Sequence, residues 1–441
     1  MRPLALALAL LAGTAAVAQT PPAAPAATPA ASKTTYIHAG RLLDRPGQAP
    51  RGNATIVVRD GKIAEVRDGF APPPASAELV DLRDRFVLPG LIDMHVHLIG
   101  IGGDPRRERL ERAERDRGDD LLQGVANART TLLAGFTSVR DLGGEEHAIR
   151  ALRDAVDRGD VEGPTIINAG RMISVTGGHG DSRNGLSDRF EAAIHEDMTN
   201  LCDGAEDCRR AVRRQVGLGA RVIKFAATGG VLSNVSGGLG RAMTPEEMRA
   251  IVDTAHALGR KAAAHSHAAE GTKAALEAGV DTIEHGSFLD DEAIRLFKAK
   301  GAYLVPTMIA PQTAVVQARA GDLPPATIPK AEQAAAAAMA SHARAIAAGV
   351  KVAFGTDTGV SKHGDNAQEF ALMVQAGMTP AQAIRAATLV AAEALGRDDV
   401  GTIEPGRAAD IIAVSGSPLE DVRRLERVDF VMHRGAVAKR P

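Results

Sequence analysis

Between residues 89 and 396 the apolar and polar positions follow one recurring phrase. Apolar residues at helical spacing end in a glycine, a short apolar or β-branched run follows, and polar residues close it. The phrase is read in LLAGFTSVRDL, VGLGARVIKFAAT, HALGRKAAAHSH, LEAGVDTIEHG, KAKGAYLVPT and IAAGVKVAFGTD. Gly135, Gly219, Gly259, Gly279, Gly301 and Gly349 stand where each helix should stop, a position that favours a left-handed residue. The runs are apolar on both faces, as strands covered by helices on a parallel sheet must be. LIDMHVHL before the series and PTIINAG within it bring the strands to eight. The pattern predicts an α/β chain with a (β/α)8 TIM barrel over 89–396. A doubly wound open sheet is the competing architecture.

The flanks change period. Residues 34–88 contain NATIVVRDGKIAEV, with Asp60-Gly61 at a hairpin position, and 397–441 contain the strand-like GRAADIIAVSG and DFVMHRGAV. Neither flank is long enough to bury a secure core alone. They are expected to form one small β-sandwich-like domain from both chain ends. At the N-terminus, Arg2, the apolar run Leu4–Ala12 and Ala16-Val17-Ala18 read as a signal peptide over 1–18, cleaved near Ala18-Gln19. Its run falls short of the ~18 uninterrupted apolar residues of a membrane span, so no stable membrane insertion is expected. An uncleaved anchor is the alternative. Residues 19–33, rich in Ala and Pro, read as a disordered linker. The expected location is periplasmic or secreted, and there the C-x5-C pair Cys202 and Cys208 reads as a disulfide.

Composition narrows the partners. Lys and Arg number 52 against 54 Asp and Glu, so the formal charge of −2 supplies no basic footprint for nucleic acid. Aromatic residues are 3% of the chain and Trp is absent, which leaves little to stack on bases. A small-molecule partner remains, and the 13 histidines suggest how it is handled.

Active sites of such barrels lie at the C-terminal ends of the strands. The first strand ends in His95 and His97, two residues apart and so on one face. His265 and His285 end the fifth and sixth strands, Lys224 lies in the fourth, and Asp357 closes the eighth. Alone, Lys224 reads as a lysine snorkelling from a strand end and Asp357 as a loop cap. Together, residues converging from five strands point to metal binding. His267 faces the same way as His265, and His179 sits among glycines in SVTGGHG after the third strand. Both suit a substrate carbonyl or a structural hydrogen bond. Val231 and Leu232 in TGGVLSNVSGGLG, and Tyr303 on the seventh strand, are further substrate-contact candidates. His256 and His342 lie on helical patterns and read as surface or packing residues.

PGLIDMHVHL, IKFAATGG, AAAHSH, DTIEHG and FGTDTG, in that order, resemble the amidohydrolase superfamily, in its imidazolonepropionase-like and Xaa-Pro dipeptidase-like branch. The resemblance covers nearly the whole chain after the linker, through the closing GTIEPGRAADIIAV. It implies two divalent metal ions, with zinc the expected identity. His95, His97 and Asp357 would hold one ion and His265 and His285 the other, bridged by an N6-carboxylated Lys224, a carbamate derived from CO2. A metal-bridging hydroxide would attack the amide carbonyl, with Asp357 as general base and acid and with His179 and His267 assisting. The implied substrates carry a free C-terminal carboxylate: Xaa-Pro-type dipeptides, or N-acyl amino acids such as ochratoxin A. A homo-oligomer is also implied. A cyclic-amide hydrolase or deaminase of the same superfamily is the alternative, and a non-catalytic periplasmic metal- or solute-binding protein a remote one.

Overall fold

The computed structural model describes residues 34–100, 114–183, 198–233, 237–323 and 327–441, all within one contact unit, Lys33–Pro441. The expected signal peptide (1–18) and linker (19–33) lie outside the described residues. The chain opens with β1 (Thr34–Leu42), β2 (Ala54–Arg59), β3 (Lys62–Asp68) and β4 (Glu78–Pro89). Asp60 (φ 49°) and Gly61 (φ 79°) make the β2–β3 turn left-handed at both central residues, the geometry that matches strand twist in a two-residue hairpin.

β4 runs through Gly90 into β5 (Leu91–Val96), the first strand of the repeated series. Then follow β6 (Phe136–Asp141), β7 (Thr165–Asn168), β8 (Val222–Ala226), β9 (Lys261–Ala268), β10 (Thr282–Phe288), β11 (Tyr303–Val305) and β12 (Lys351–Val352). The C-terminus adds β13 (Ile411–Val414), β14 (Val428–His433) and β15 (Ala436–Lys439). Both chain ends meet in one seven-stranded sheet ordered β15-β14-β13-β4-β1-β2-β3. The two flanks thus share one hydrogen-bonded ladder, for a reason visible in β4. Its twelve residues pair with β1 through Glu78–Val87 and with β13 through Phe86–Pro89, so each terminus extends the same ladder. Ile37, Ile56, Val58, Leu82, Ile411, Phe430 and Met432 are buried as its own apolar cluster.

β5-β6-β7 form one parallel sheet and β8-β9-β10-β11-β12 another. Backbone hydrogen bonds join them at both edges. Met94 N donates to Phe354 O (2.9 Å), Asp357 N to His95 O and His97 N to Thr358 O (2.7 Å each) on one side. On the other, Arg221 N donates to Asn168 O and Ile173 N to Lys224 O (2.8 Å each).

The helices between strands show why the phrase folds as it does. In Pro245–Ala257, Thr244 and Glu247 form a reciprocal capping box and Pro245 takes the first turn, where its missing N–H costs nothing. Met248, Ile251, Val252 and Ala255 fall on one face and are buried in the main core, each large side chain contributing ~1.5–3 kcal/mol. The six glycines singled out above have φ between 67° and 103°, and the chain turns into the next strand there. Among the described residues no helix is long and apolar enough to cross a membrane.

Cys202 and Cys208 are joined by a disulfide, with Cα atoms 4.8 Å apart and both side chains fully buried. It ties the segment before the helix Ala205–Gly217 to that helix's first turn. The same segment supports the loop after β7. Cys202 N donates to Ser174 O (2.9 Å), and Asn200 Nδ2 reaches Met172 O and Gly180 O (2.8 Å each). Replacing both cysteines by serine is expected to lower the unfolding free energy by about 2 kcal/mol through released chain entropy. Urea unfolding of the double variant against the oxidised protein checks this. Equal stabilities would mean that the bridge constrains nothing.

Candidate metal centre and active site

The polar residues that end separate strands come together at one end of the parallel sheets. His95 Nε2 lies 3.4 Å from Lys224 Nζ and 3.4 Å from Asp357 Oδ1, and His97 Nε2 is 3.0 Å from the same oxygen. The ring of His285 sits 5.1 Å from that of His95 and 4.5 Å from that of His265. Two sets offer donor atoms within 4.8 Å of one another: His95, His285 and Asp357, and His265, His267 and His285. His285 belongs to both, which places the two sets side by side. His285 (φ 73°) and Asp357 (φ 60°) both hold a left-handed backbone. At His285 the β9–β10 register shifts, so local strain aims the imidazole inward.

Burial tunes these groups for ligation. Burial, followed by the nearby Lys224, pushes the His95 imidazole down to about 4. Burial with the crowding imidazoles holds His265 and His285 well below the usual histidine range. These rings stand neutral with lone pairs available, as a metal requires. Burial also brings the Lys224 amine down to about 8, where a neutral, nucleophilic form is accessible. Asp357 is pushed up by burial but pulled further down by His95 and His97, to about 2, and remains a carboxylate. Burial lowers His97, and Asp357 more than offsets this, holding it near 9.

A second polar layer lies beneath. Glu284 Oε2 is 3.0 Å from His95 Nδ1, while its Oε1 accepts from Arg140 Nη2 at 2.7 Å. Arg140 also donates to Met94 O (2.6 Å) and Thr282 Oγ1 (3.0 Å), and is almost wholly buried. A carboxylate on Nδ1 fixes the tautomer that turns Nε2 toward the centre. Nothing in the motif reading singled out this pair. The available signal was a charged residue inside each of two otherwise apolar strand phrases, FTSVRD and TIEHG. Glu284→Gln should cost about 3–5 kcal/mol, because it leaves the Arg140 guanidinium a buried charge without its counter-ion. Chemical denaturation measures the loss, and an unchanged midpoint would remove the pair from the stability of the site.

The remaining predicted residues divide. The His267 ring is 4.8 Å from that of His265 and stacks on that of His285, and its Nδ1 lies 2.8 Å from Ser287 Oγ. His267 therefore stands among the groups that could hold a metal ion. The His179 ring is 4.3 Å from that of His265, and its Nδ1 is buried without a hydrogen-bond partner among the described residues, poised for a ligand. Gly230 makes room for it: a Cβ there would fall 2.3 Å from His179 Cε1. The loop after β8 crosses this end, and its Val231 packs in a cluster with Ala314, Ala318 and Ala331. Leu232 instead is 41% exposed.

Tyr303 is not brought to the site. It is the first residue of β11, paired with Thr282 and Lys351 at the starts of their strands, so it lies at the opposite end from the histidines. Its ring carries the Lys351 amine 4.9 Å above its centroid. The strand is the expected one, but Tyr303 starts it, and on a parallel strand the start is the end away from the site. His256, exposed, pairs with Asp281 at 2.8 Å, and His342 is buried against His285 O at 2.5 Å.

A protein-family model described as "Amidohydrolase family" matches residues 86–438. The chain belongs to the amidohydrolase family. This amidohydrolase is 33% identical to ochratoxinase from Aspergillus niger, over 91% of its own length and 85% of the relative's. An imidazolonepropionase from Salinispora arenicola is 27% identical over 90% of this chain and 95% of the relative. Among solved structures, a Xaa-Pro dipeptidase shares 37% identity, covers 92% of this chain and 99% of its own, and superposes with a TM-score of 0.85. The amidohydrolase is accordingly a hydrolase acting on amide bonds.

Proposed function

We propose that this amidohydrolase is an exported binuclear metal enzyme that cleaves the amide bond of small substrates bearing a free carboxylate beside the scissile bond. Xaa-Pro-type dipeptides and N-acyl amino acids are the substrate classes. The carrying observation is the two adjoining donor sets that share His285. We further infer that the two parallel sheets close into a (β/α)8 barrel, since hydrogen bonds join both pairs of edges.

The donor chemistry fits two divalent ions. His95, His97 and Asp357 would hold one, His265 and His285 the other, and imidazole with carboxylate suits zinc. Lys224, buried beside His95, would add its amine to CO2 and release a proton, and the resulting carbamate would supply an anionic ligand for the metal centre. Such ions supply a Lewis acid for the amide carbonyl and water of lowered pKa. The chain's own residues do the rest. The Asp357 carboxylate accepts the proton of the attacking water and delivers it to the departing amine nitrogen. His179, with its unpartnered Nδ1, and His267 orient the substrate carbonyl. Glu284 and Arg140 hold His95 in the orientation this needs.

The substrate class draws support from what similar proteins hold or are named for. One solved relative, 37% identical, is described as a Xaa-Pro dipeptidase with bound methionine in the active site. A prolidase, 31% identical with a TM-score of 0.84, is complexed with N-methylphosphonate-L-proline. Both ligands carry an α-carboxylate. Export draws support from the N-terminal pattern and from the buried Cys202–Cys208 bridge, which belongs in an oxidising compartment. A homo-oligomer is proposed on the resemblance.

The test is a panel of Xaa-Pro dipeptides, N-acyl amino acids including ochratoxin A, and cyclic amides, with zinc supplied and amine release followed. Release from the first two groups is the expected result. Turnover of cyclic amides alone would move the enzyme to the cyclic-amide class. No turnover with two metals bound would favour a binding protein.

A further inference from the structure

We propose that Lys330 is the cation that recognises the substrate's carboxylate, and so sets the preference for acids over neutral amides. The inference rests on the proposed substrate class and adds to it the residue that reads the charge.

Lys330 is the third residue of the helix Ile328–Ala347, which follows β11 and begins at the end of the fold where the histidines lie. Its side chain is half-buried, yet it pairs with no carboxylate among the described residues. Glu332, two residues along the same helix, is already matched by Arg319 (3.5 Å). The Lys330 ammonium instead contacts two backbone carbonyls of the loop after β8, Ser233 O and, at 3.5 Å, Gly230 O. An ammonium has three N–H donors, so one remains for a ligand. A half-buried cation without a counter-ion is costly, and an anionic substrate would remove that cost.

The placement relative to the chemistry is equally specific. Gly229 O lies 3.3 Å from His265 Nε2, and the next carbonyl, Gly230 O, meets Lys330. Gly230 Cα packs against the His179 ring on the way. A single peptide strap thus separates the ammonium from the histidine cluster. Val231 anchors the strap in an apolar cluster with Ala331, on the helix that carries Lys330, so strap and lysine are positioned together.

The experiment compares N-acetyl-L-phenylalanine with N-acetyl-L-phenylalaninamide on zinc-loaded wild type, Lys330→Met and Lys330→Arg, each checked for metal content and thermal unfolding. Wild type should favour the acid. Lys330→Met should collapse that acid-to-amide ratio of kcat/KM by at least about tenfold, mainly through KM for the acid, as expected for one charge-assisted hydrogen bond. Lys330→Arg, which keeps the charge, should retain most of the preference. A ratio unchanged in Lys330→Met, with both substrates losing equally, would make Lys330 a latch on the strap and overturn the inference while leaving the substrate class intact. If wild type itself does not distinguish acid from amide, the substrate class falls, and the inference with it.

Discussion

Lys224→Ala should leave a folded protein that binds about one metal ion per chain in place of two and turns over at least about 10³-fold more slowly. The side chain lies on a central strand, 2% exposed, between His95 and the carboxylates of Glu284 and Asp357. No neighbouring residue can slide into its place, because β8 is bonded to β9 on one side and to Ile173 on the other. Alanine should be tolerated structurally: it removes a buried amine that has no full ion-pair partner and leaves the β8 ladder untouched. The effect should therefore appear in metal stoichiometry and kcat, with the thermal transition little moved. Short carboxylic acids such as acetate or propionate should restore part of the activity by entering the vacated volume and supplying the two missing oxygens. Wild-type kcat with two metals bound would sink the bridging role. Lost activity with two metals retained and no rescue would point to a different role for the amine.

Much of this architecture was legible in the chain because the repeated phrase carries its own punctuation. Gly219 and Gly279 mark helix ends, and the strands after them lead to Lys224 and His285. A period of two placed His95 with His97, and His265 with His267, before any distance was known. Other features were hidden because they are made by register. The pairing of Glu284 with Arg140 joins β10 to β6, strands that are not neighbours in either sheet, and only the three-dimensional arrangement brings them together. Tyr303 shows the opposite failure: the right strand was read with the wrong end. An apolar residue in a glycine loop can face substrate or a neighbouring helix, and sequence alone does not show that Val231 packs with Ala314 and Ala331. Lys330 carries no motif at all. Its interest comes from what surrounds it.

Asp357→Asn should separate holding the metal from moving the proton. Asparagine matches aspartate in size and, like it, tolerates the left-handed backbone (φ 60°) that alanine would strain. The backbone bond from residue 357 N to His95 O (2.7 Å) is kept, and an amide oxygen can still face His97 Nε2, now 3.0 Å from the carboxylate. What the amide cannot do is accept a proton and return it. Turnover of a dipeptide should drop by about 10²–10⁴-fold, the usual scale for removing a positioned acid–base group, with metal content closer to wild type than in Lys224→Ala. The leaving group sharpens the test. An alkyl amine must be protonated as it departs, whereas the nitroaniline of an amino acid p-nitroanilide leaves with much less help. The variant's deficit should be clearly smaller with the anilide. An equal deficit on both would assign Asp357 to metal holding alone, because loss of the site slows every substrate alike.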